Sequence, residues 1–409
     1  MIIISRFLIT HYELRITNYP ARHEKNMKTP RYRLLTPGPT PVPPSALQIL
    51  AQDLRHHRTE EFRAIFREAV LGLQQVFCTK NEIAVISGSG TAAMEACVVN
   101  AVPASGKALV LHSGKFAERW TDLCTRFGIT PILYEVSWGE PFQAEKVAEF
   151  LRNEPDIQAV YATLSETSTG VGHRIREIGE EVAKTDALFV VDGISGVGGM
   201  ECRTDSWGID LLAVGSQKAL MTPPGLAFVA VSGKAWQKID GMKTLPPAYY
   251  LDLRAYRKAA KTSDTPYTPP FSLIAALAEN LRILREIGIE NVWRRTSRLA
   301  RAVRAAVTAM NLEVFAKEPC DVLTLIKMPE SVDVKSLLTR LEEKFGVKIT
   351  GAQGFLKGKA IRIAHMGFID ELDLIGCVAA LEQVLISQGW PISPGVGLTA
   401  MQKELIAEK

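Results

Sequence analysis

Short apolar runs recur along the first half of the chain, separated by polar or helical stretches. They are IAVIS (83–87), ALVLH (108–112), ILYEV (132–136), AVYATL (159–164), ALFVV (187–191), LLAVG (211–215) and LAFVAV (226–231). Their apolarity is continuous instead of alternating, so each predicts a strand covered on both faces and together they predict a mainly parallel α/β sheet. Upstream, TPGPTPVPP (36–44) is too rich in proline for a helix or a central strand and reads as an ordered entry loop. The following TEEFRAIFREAVLGLQQVF places Phe62, Ile65, Phe66, Ala69, Val70 and Leu73 at helical spacing. Glu60 and Glu61 suit the positive end of that helix.

After TPYTPPFS the texture changes. The segment LIAALAENLRILREIGIENVWRRTSRLARAVRAAV predicts one long or broken helix. Strands are expected near Leu312, Leu323 and Ile361, and helices near Val334 and Leu372. The expected organisation is a large domain over 27–275 and a smaller α+β domain over 276–409.

The 409 residues, 47% of them hydrophobic, are enough for two or three packed cores. The net charge of +4 comes largely from the first 30 residues, which hold five basic and two acidic side chains, leaving 43 against 42 elsewhere. So even a balance argues against a nucleic-acid surface. Residues 1–26 read as a disordered or spurious extension, with Met27 as the natural start. No apolar stretch reaches the ~20 residues that a spanning helix needs, so no membrane association is expected. The six cysteines, at 78, 97, 124, 202, 320 and 377, form no CxxC pair, and a reduced cytoplasmic setting is the default.

Three features carry candidate chemistry. VISGSGTAAMEACVV is a strand, a glycine loop and a helix start, whose free N–H groups with the Ser89 and Thr91 hydroxyls could hold a phosphate. By itself it could equally be an ordinary strand-to-helix turn. In ALFVVDGISGVGG, Asp192 ends a buried run, where open α/β sheets place their ligands, although a helix N-cap is the plainer alternative. Lys218, in LLAVGSQKALMTPPGLAFVAVS, stands between two buried runs, where a turn lysine facing solvent is the commoner case. The three together say more than each alone. An amine that forms an imine, a carboxylate that keeps a pyridine nitrogen protonated and a phosphate anchor are the contacts pyridoxal phosphate needs.

At these residues a family resemblance appears. TPGPTPVPP, SGSGTAAMEA, SGKFAERW, SETSTGV, VVDGISGVGG, VGSQKAL, TPYTPP and KAIRIAHMG resemble, in order, the blocks of class V aminotransferases. The likeness is greatest to the alanine:glyoxylate and serine:pyruvate or serine:glyoxylate enzymes, and it runs from about Leu34 to the end of the second domain. It implies fold type I, with a mainly parallel mixed seven-stranded sheet, a smaller C-terminal domain and a homodimer whose active sites lie at the subunit interface. It further implies that Lys218 joins pyridoxal 5'-phosphate through an imine and that Asp192 pairs with the pyridine nitrogen. Ser89, Gly90, Thr91 and Gln217 would hold the phosphate, and Phe116 would stack on the ring. Thr167 would approach the phenolic oxygen, Thr268 would reach the neighbouring subunit's phosphate, and Arg362 would grip the substrate carboxylate. Without the resemblance, Phe116 reads as core and Arg362 as a solvated strand residue.

The expected reaction moves the amino group of a small amino acid, alanine or serine, to an oxo acid, glyoxylate or pyruvate, in ping-pong order. Two departures leave substrate choice open: Thr91 stands where some relatives carry histidine, and Thr265 where some carry tyrosine. His56 and His57 could line an entrance, but no spacing suggests a metal site. A cysteine desulfurase ranks low, because ITGAQGFLKGKAIRIA holds no cysteine. A 2-aminoethylphosphonate-type transaminase and a hydrogenase-associated subunit with the same fold are the remaining alternatives.

Overall fold

The computed structural model describes residues 31–407, so the expectation for residues 1–26 falls outside the described part. Seven strands form the main sheet: β1 (Glu82–Gly88), β2 (Lys107–His112), β3 (Thr130–Glu135), β4 (Ile157–Thr163), β5 (Leu188–Asp192), β6 (Leu211–Gly215) and β7 (Gly225–Val231). Their spatial order is β1-β7-β6-β5-β4-β2-β3. All pairings are parallel except those of β7, which runs antiparallel to both β1 and β6.

Alternation along single strands explains the continuous apolar runs. In β2, Leu109 and Leu111 enter one core while Ala108 and Val110 enter the other. In β5, Phe189 and Val191 face the first and Leu188 and Val190 the second. The inner strands are covered on both faces, so both sets of their side chains are mainly apolar. The edge strand β3 is partly exposed, Leu133 among its exposed residues, against the expectation of cover on both faces. The predicted helix at Glu60–Val76 forms, capped by the Thr59 hydroxyl accepting from the Phe62 N–H, and buries Phe62, Phe66, Ala69 and Leu73.

The long helical segment is two helices, Phe271–Ile287 and Ile289–Ala309, broken at Gly288, whose φ of +83° suits glycine. Apolar residues as far as Leu284, and Val292 beyond the break, belong to the large core. From Leu299 on they join a separate core. A second, four-stranded sheet follows: β8 (Glu313–Val314), β9 (Leu323–Lys327), β10 (Thr350–Gly351) and β11 (Ala360–Ala364), in the order β8-β9-β11-β10, all antiparallel. The helices Val334–Phe345 and Glu371–Ser387 flank it. One further helix, Val396–Ala407, was not read from the sequence. Buried Glu382 holds its start, accepting N–H bonds from Gly395 at 3.0 Å and Gly397 at 2.6 Å. The N-terminal segment starts in the smaller unit, with Arg33–Leu34 parallel to Val347–Lys348 and Leu35 in its core. It then crosses to the large sheet, where Thr40 bonds to the Lys218 segment. Among the described residues no helix is long and apolar enough to cross a membrane.

Candidate active site

Strands β1, β2, β4, β5 and β6 are mutually parallel, so the residues that follow them gather at one edge of the sheet. This is the carboxyl edge, where open α/β sheets bind ligands. Ser89, Gly90, Thr91, Phe116, Asp192, Gln217 and Lys218 line one pocket there. Asp192 closes β5 on the same face as Leu188 and Val190, beneath the helix Gly90–Ala101. Its Oδ1 accepts from the Ile194 N–H at 2.8 Å. Burial pushes its pKa up to about 7, Glu166 adding to the rise, while that N–H, Arg119 and Lys218 pull it down. The pocket therefore holds a carboxylate that is easily protonated unless a cation faces it.

Lys218 follows β6 by three residues, and two elements fix it. Its Nζ donates to the Pro37 carbonyl at 2.5 Å, and its own carbonyl accepts from the Thr40 hydroxyl at 2.7 Å. The proline-rich loop thus closes over the lysine. Gly38 suits that closure: its φ of +134° strains any L side chain, and a Cβ there would stand 2.5 Å from Lys218 Nζ and Cδ and push the lysine aside. Burial lowers the ammonium pKa to about 8, with Arg362 and Arg119 adding to the fall and Asp192 opposing it. A lysine so perturbed is about one tenth neutral at pH 7, far more than an ordinary lysine, and can act as nucleophile and base.

Arg362 is buried in β11, not solvated as the strand pattern alone would have it. Nε and Nη2 both donate to the Gly351 carbonyl, at 3.1 and 2.9 Å, and Nη1 to the Thr167 carbonyl at 3.1 Å. One N–H on each of Nη1 and Nη2 is left, a fork suited to a carboxylate. Thr167 lies in a hairpin, Ser165–Glu166 against Val171–Gly172, which the sequence reading did not resolve.

Neither Thr167 nor Arg362 lines the pocket itself; they are bonded to each other beside it. Thr268 is exposed and also lies outside it. Thr265 is buried, its hydroxyl donating to the Tyr267 carbonyl at 2.7 Å. His56 and His57 stack 4.8 Å apart on a loop before the helix Glu60–Val76 and do not line the pocket. Among the described residues no group of His, Cys, Asp and Glu could hold a metal ion. Sequence reasoning missed Arg119, which lines the pocket with its guanidinium 5.6 Å from the Phe116 ring centre, and Glu166, fully buried behind it. For Glu166 the available signal was a charge within the otherwise buried stretch SETSTG; Arg119, beside Lys115 and Glu118, carried none.

The class V aminotransferase family model matches residues 37–355. The chain belongs to the class V aminotransferases. Among curated relatives, it is 38% identical to a protein named the small subunit of a soluble hydrogenase from Synechococcus sp. (strain PCC 6716), over 91% of this chain and 98% of that one. It is 33% identical to a serine–glyoxylate aminotransferase of Methylorubrum extorquens, over 92% and 96%. A crystal structure of ureidoglycine–glyoxylate aminotransferase from Bacillus subtilis superposes with a TM-score of 0.88 at 28% identity, covering 93% of this chain and 100% of that one. This class V aminotransferase is a fold type I transaminase that depends on pyridoxal phosphate. The pocket fits that group. Buried Gln217 Oε1 has no partner among the described residues, and the first N–H groups of the helix Gly90–Ala101 open beside the Ser89 and Thr91 hydroxyls. Gly90 keeps the cradle open, since a Cβ there would stand 2.6 Å from Ile194 Cδ1.

Proposed function

We propose that this enzyme transfers the amino group of a small amino acid, alanine or serine, to glyoxylate or pyruvate by a ping-pong mechanism. The observation that carries this reading is the pairing, in one buried pocket, of a lysine with lowered pKa and a carboxylate with raised pKa. When bound, pyridoxal phosphate supplies an electron sink for the carbon that loses its α-proton. Lys218 Nζ would hold the cofactor covalently and, with an amino donor bound, would take the α-proton and return it. Asp192 would keep the pyridine nitrogen's proton by opposite charge. Ser89, Gly90, Thr91 and Gln217 would hold the phosphate, Phe116 would pack on the ring, and Thr167 would approach the phenolic oxygen. Arg362 grips the donor's carboxylate end-on and so orients the Cα–H bond for removal.

In this reading the unit is a cytoplasmic homodimer without nucleic-acid or membrane partners. Thr268, exposed on its own chain, completes the phosphate site of the second copy. Glyoxylate as acceptor is supported by the relatives named for it. The test is a half-reaction screen. Purified holoenzyme is mixed with alanine, serine, aspartate or 2-aminoethylphosphonate, and loss of the cofactor's visible band is followed. Bleaching by alanine or serine, reversed by glyoxylate or pyruvate, is the expected result. Bleaching by aminoethylphosphonate alone would give the phosphonate-type reading instead.

A second reading, an accessory subunit of a hydrogenase, is favoured by the name of the Synechococcus relative. It predicts no bleaching by any donor. The intact Lys218, Asp192 and Arg362 support catalysis over that reading.

A further inference from the structure

Glu166 is fully buried at the end of the short strand Ser165–Glu166, and Arg362 feels its charge without a hydrogen bond or ion pair between them among the described residues. Four donors converge on its carboxylate instead. Oε1 accepts from the Ser168 N–H at 3.1 Å and the Ser168 hydroxyl at 2.6 Å. Oε2 accepts from the Phe116 N–H at 3.1 Å and the Ala117 N–H at 3.0 Å. The fit is close: at Gly114 a Cβ would stand 2.7 Å from Glu166 Cγ and Cδ and 2.5 Å from Ser168 Oγ. Burying a carboxylate is costly unless its oxygens are satisfied, and here both are.

The segments it ties together are those the chemistry needs. One is the backbone at Phe116, the ring-packing side chain. The other is the turn through Ser168, and Thr167, between the two bonded residues, presents its carbonyl to Arg362 Nη1. A neutral side chain could cap such a turn, but only a carboxylate offers two acceptor oxygens to two pairs of donors.

We propose that Glu166 is a positioning residue for the reaction: Oε2 sets the Phe116 ring against the cofactor, and Oε1, through Ser168, fixes the Thr167 carbonyl that aims Arg362 at the substrate. This rests on the roles given above to Phe116 and Arg362. It makes the two faces of the site one mechanical unit, joined by a group that touches neither substrate nor cofactor.

The test is Glu166→Gln in the purified holoenzyme. Glutamine keeps the size but has one acceptor oxygen, so its NH2 must face one pair of donors. The expected result is a KM for the amino donor raised roughly tenfold or more, a smaller fall in kcat, and altered visible circular dichroism of the bound cofactor. Ser168→Ala removes the shortest bond and the acceptor of the Lys115 N–H at 3.1 Å, but keeps the Phe116 and Ala117 N–H bonds to Oε2. It is expected to raise KM roughly severalfold with a smaller change in the dichroism than Glu166→Gln. A Glu166→Gln enzyme with parental KM and dichroism would overturn the proposal, even with a lowered melting temperature, because only a packing role would then remain. If Glu166→Gln yields no soluble protein, Ser168→Ala decides on the same KM criterion. Arg362→Lys, measured in parallel, separates the two levels. Should it raise KM while Glu166→Gln and Ser168→Ala do not, this inference alone fails; should it leave KM unchanged, the carboxylate-grip reading fails and this inference with it.

Discussion

The Nζ of Lys218 donates to the carbonyl of Pro37 at 2.5 Å, a contact between positions 181 residues apart. The entry loop therefore closes over the side chain of Lys218, and it arrives from the smaller unit, where Leu35 packs. Gly38 is the residue that allows this approach, since every atom of the outer lysine side chain lies within 2.6 Å of where its Cβ would be.

Gly38→Ala is accordingly expected to displace Lys218 and to strain the loop. A non-glycine residue at such a φ costs about 1–3 kcal/mol, so a comparable loss of unfolding free energy should appear in denaturant titration. Turnover should fall by at least roughly tenfold while Asp192 and the phosphate cradle remain. Parental turnover in this variant would show that the loop does not constrain the lysine.

In the ligand-free protein the Lys218 ammonium pKa lies at about 8, below its ordinary 10.5. Only the neutral amine attacks an aldehyde, so the rate of reconstitution with pyridoxal phosphate should climb with pH and level off above a midpoint near 8. The linkage has a definite sign. The folded state binds fewer protons than the unfolded between about 8 and 10.5, so the cost of burying the charge is full below pH 8 and disappears as pH rises to 10.5. Stopped-flow absorbance across pH 6.5–10 measures the midpoint, and a value near that of an exposed lysine would contradict the assignment.

Much of this site was legible in the sequence because it is built at strand ends. β5 and β6 announce themselves as apolar runs, and Asp192 and Lys218 stand out where those runs stop. Glu166 and Arg119 were harder to read. Their meaning depends on what packs against them, the Phe116 and Ala117 amides in one case and the Phe116 ring in the other. The hairpin around Thr167 escaped notice for a related reason. Its strands have two residues each, too few to establish any periodicity, and its hydrogen bonds serve Arg362 from 195 residues away. Likewise the helix Val396–Ala407 is held by Glu382 through backbone amides, a contact that leaves no pattern in the local sequence.

Asp192 gives a prediction in two conditions. Without cofactor its raised pKa means that the folded state keeps a proton up to about pH 7, which the unfolded chain loses near 3.8. The stability it contributes is full below pH 3.8 and is lost as pH rises through 7. Asp192→Asn should flatten that part of the melting-temperature profile of the ligand-free protein. With cofactor the neutral amide cannot balance a protonated pyridine, and kcat should fall by roughly a hundredfold or more while the phosphate contacts still retain the cofactor. An Asp192→Asn enzyme of parental kcat would place the pyridine nitrogen elsewhere.

Arg362 distinguishes an amino-acid transaminase from a phosphonate-amine one. Three of its five N–H groups are committed to the Gly351 and Thr167 carbonyls, which leaves one on each terminal nitrogen, the pair that the proposed carboxylate grip would use. Lysine has a single nitrogen with three N–H groups. It cannot satisfy two buried carbonyls and still present two parallel donors, although it keeps the positive charge. Arg362→Lys should therefore lower kcat/KM for alanine or serine by roughly one to two powers of ten, taking ~1.5–3 kcal/mol for a charge-assisted hydrogen bond. The loss should appear first in KM, since substrate and transition state share the carboxylate contact, and then in kcat as the Cα–H bond tilts from the perpendicular. The cofactor's visible band should persist, because Lys218 is unaltered. Measured half-reactions in which Arg362→Lys consumes serine and alanine at the parental rate would remove both the carboxylate grip and the amino-acid substrate class.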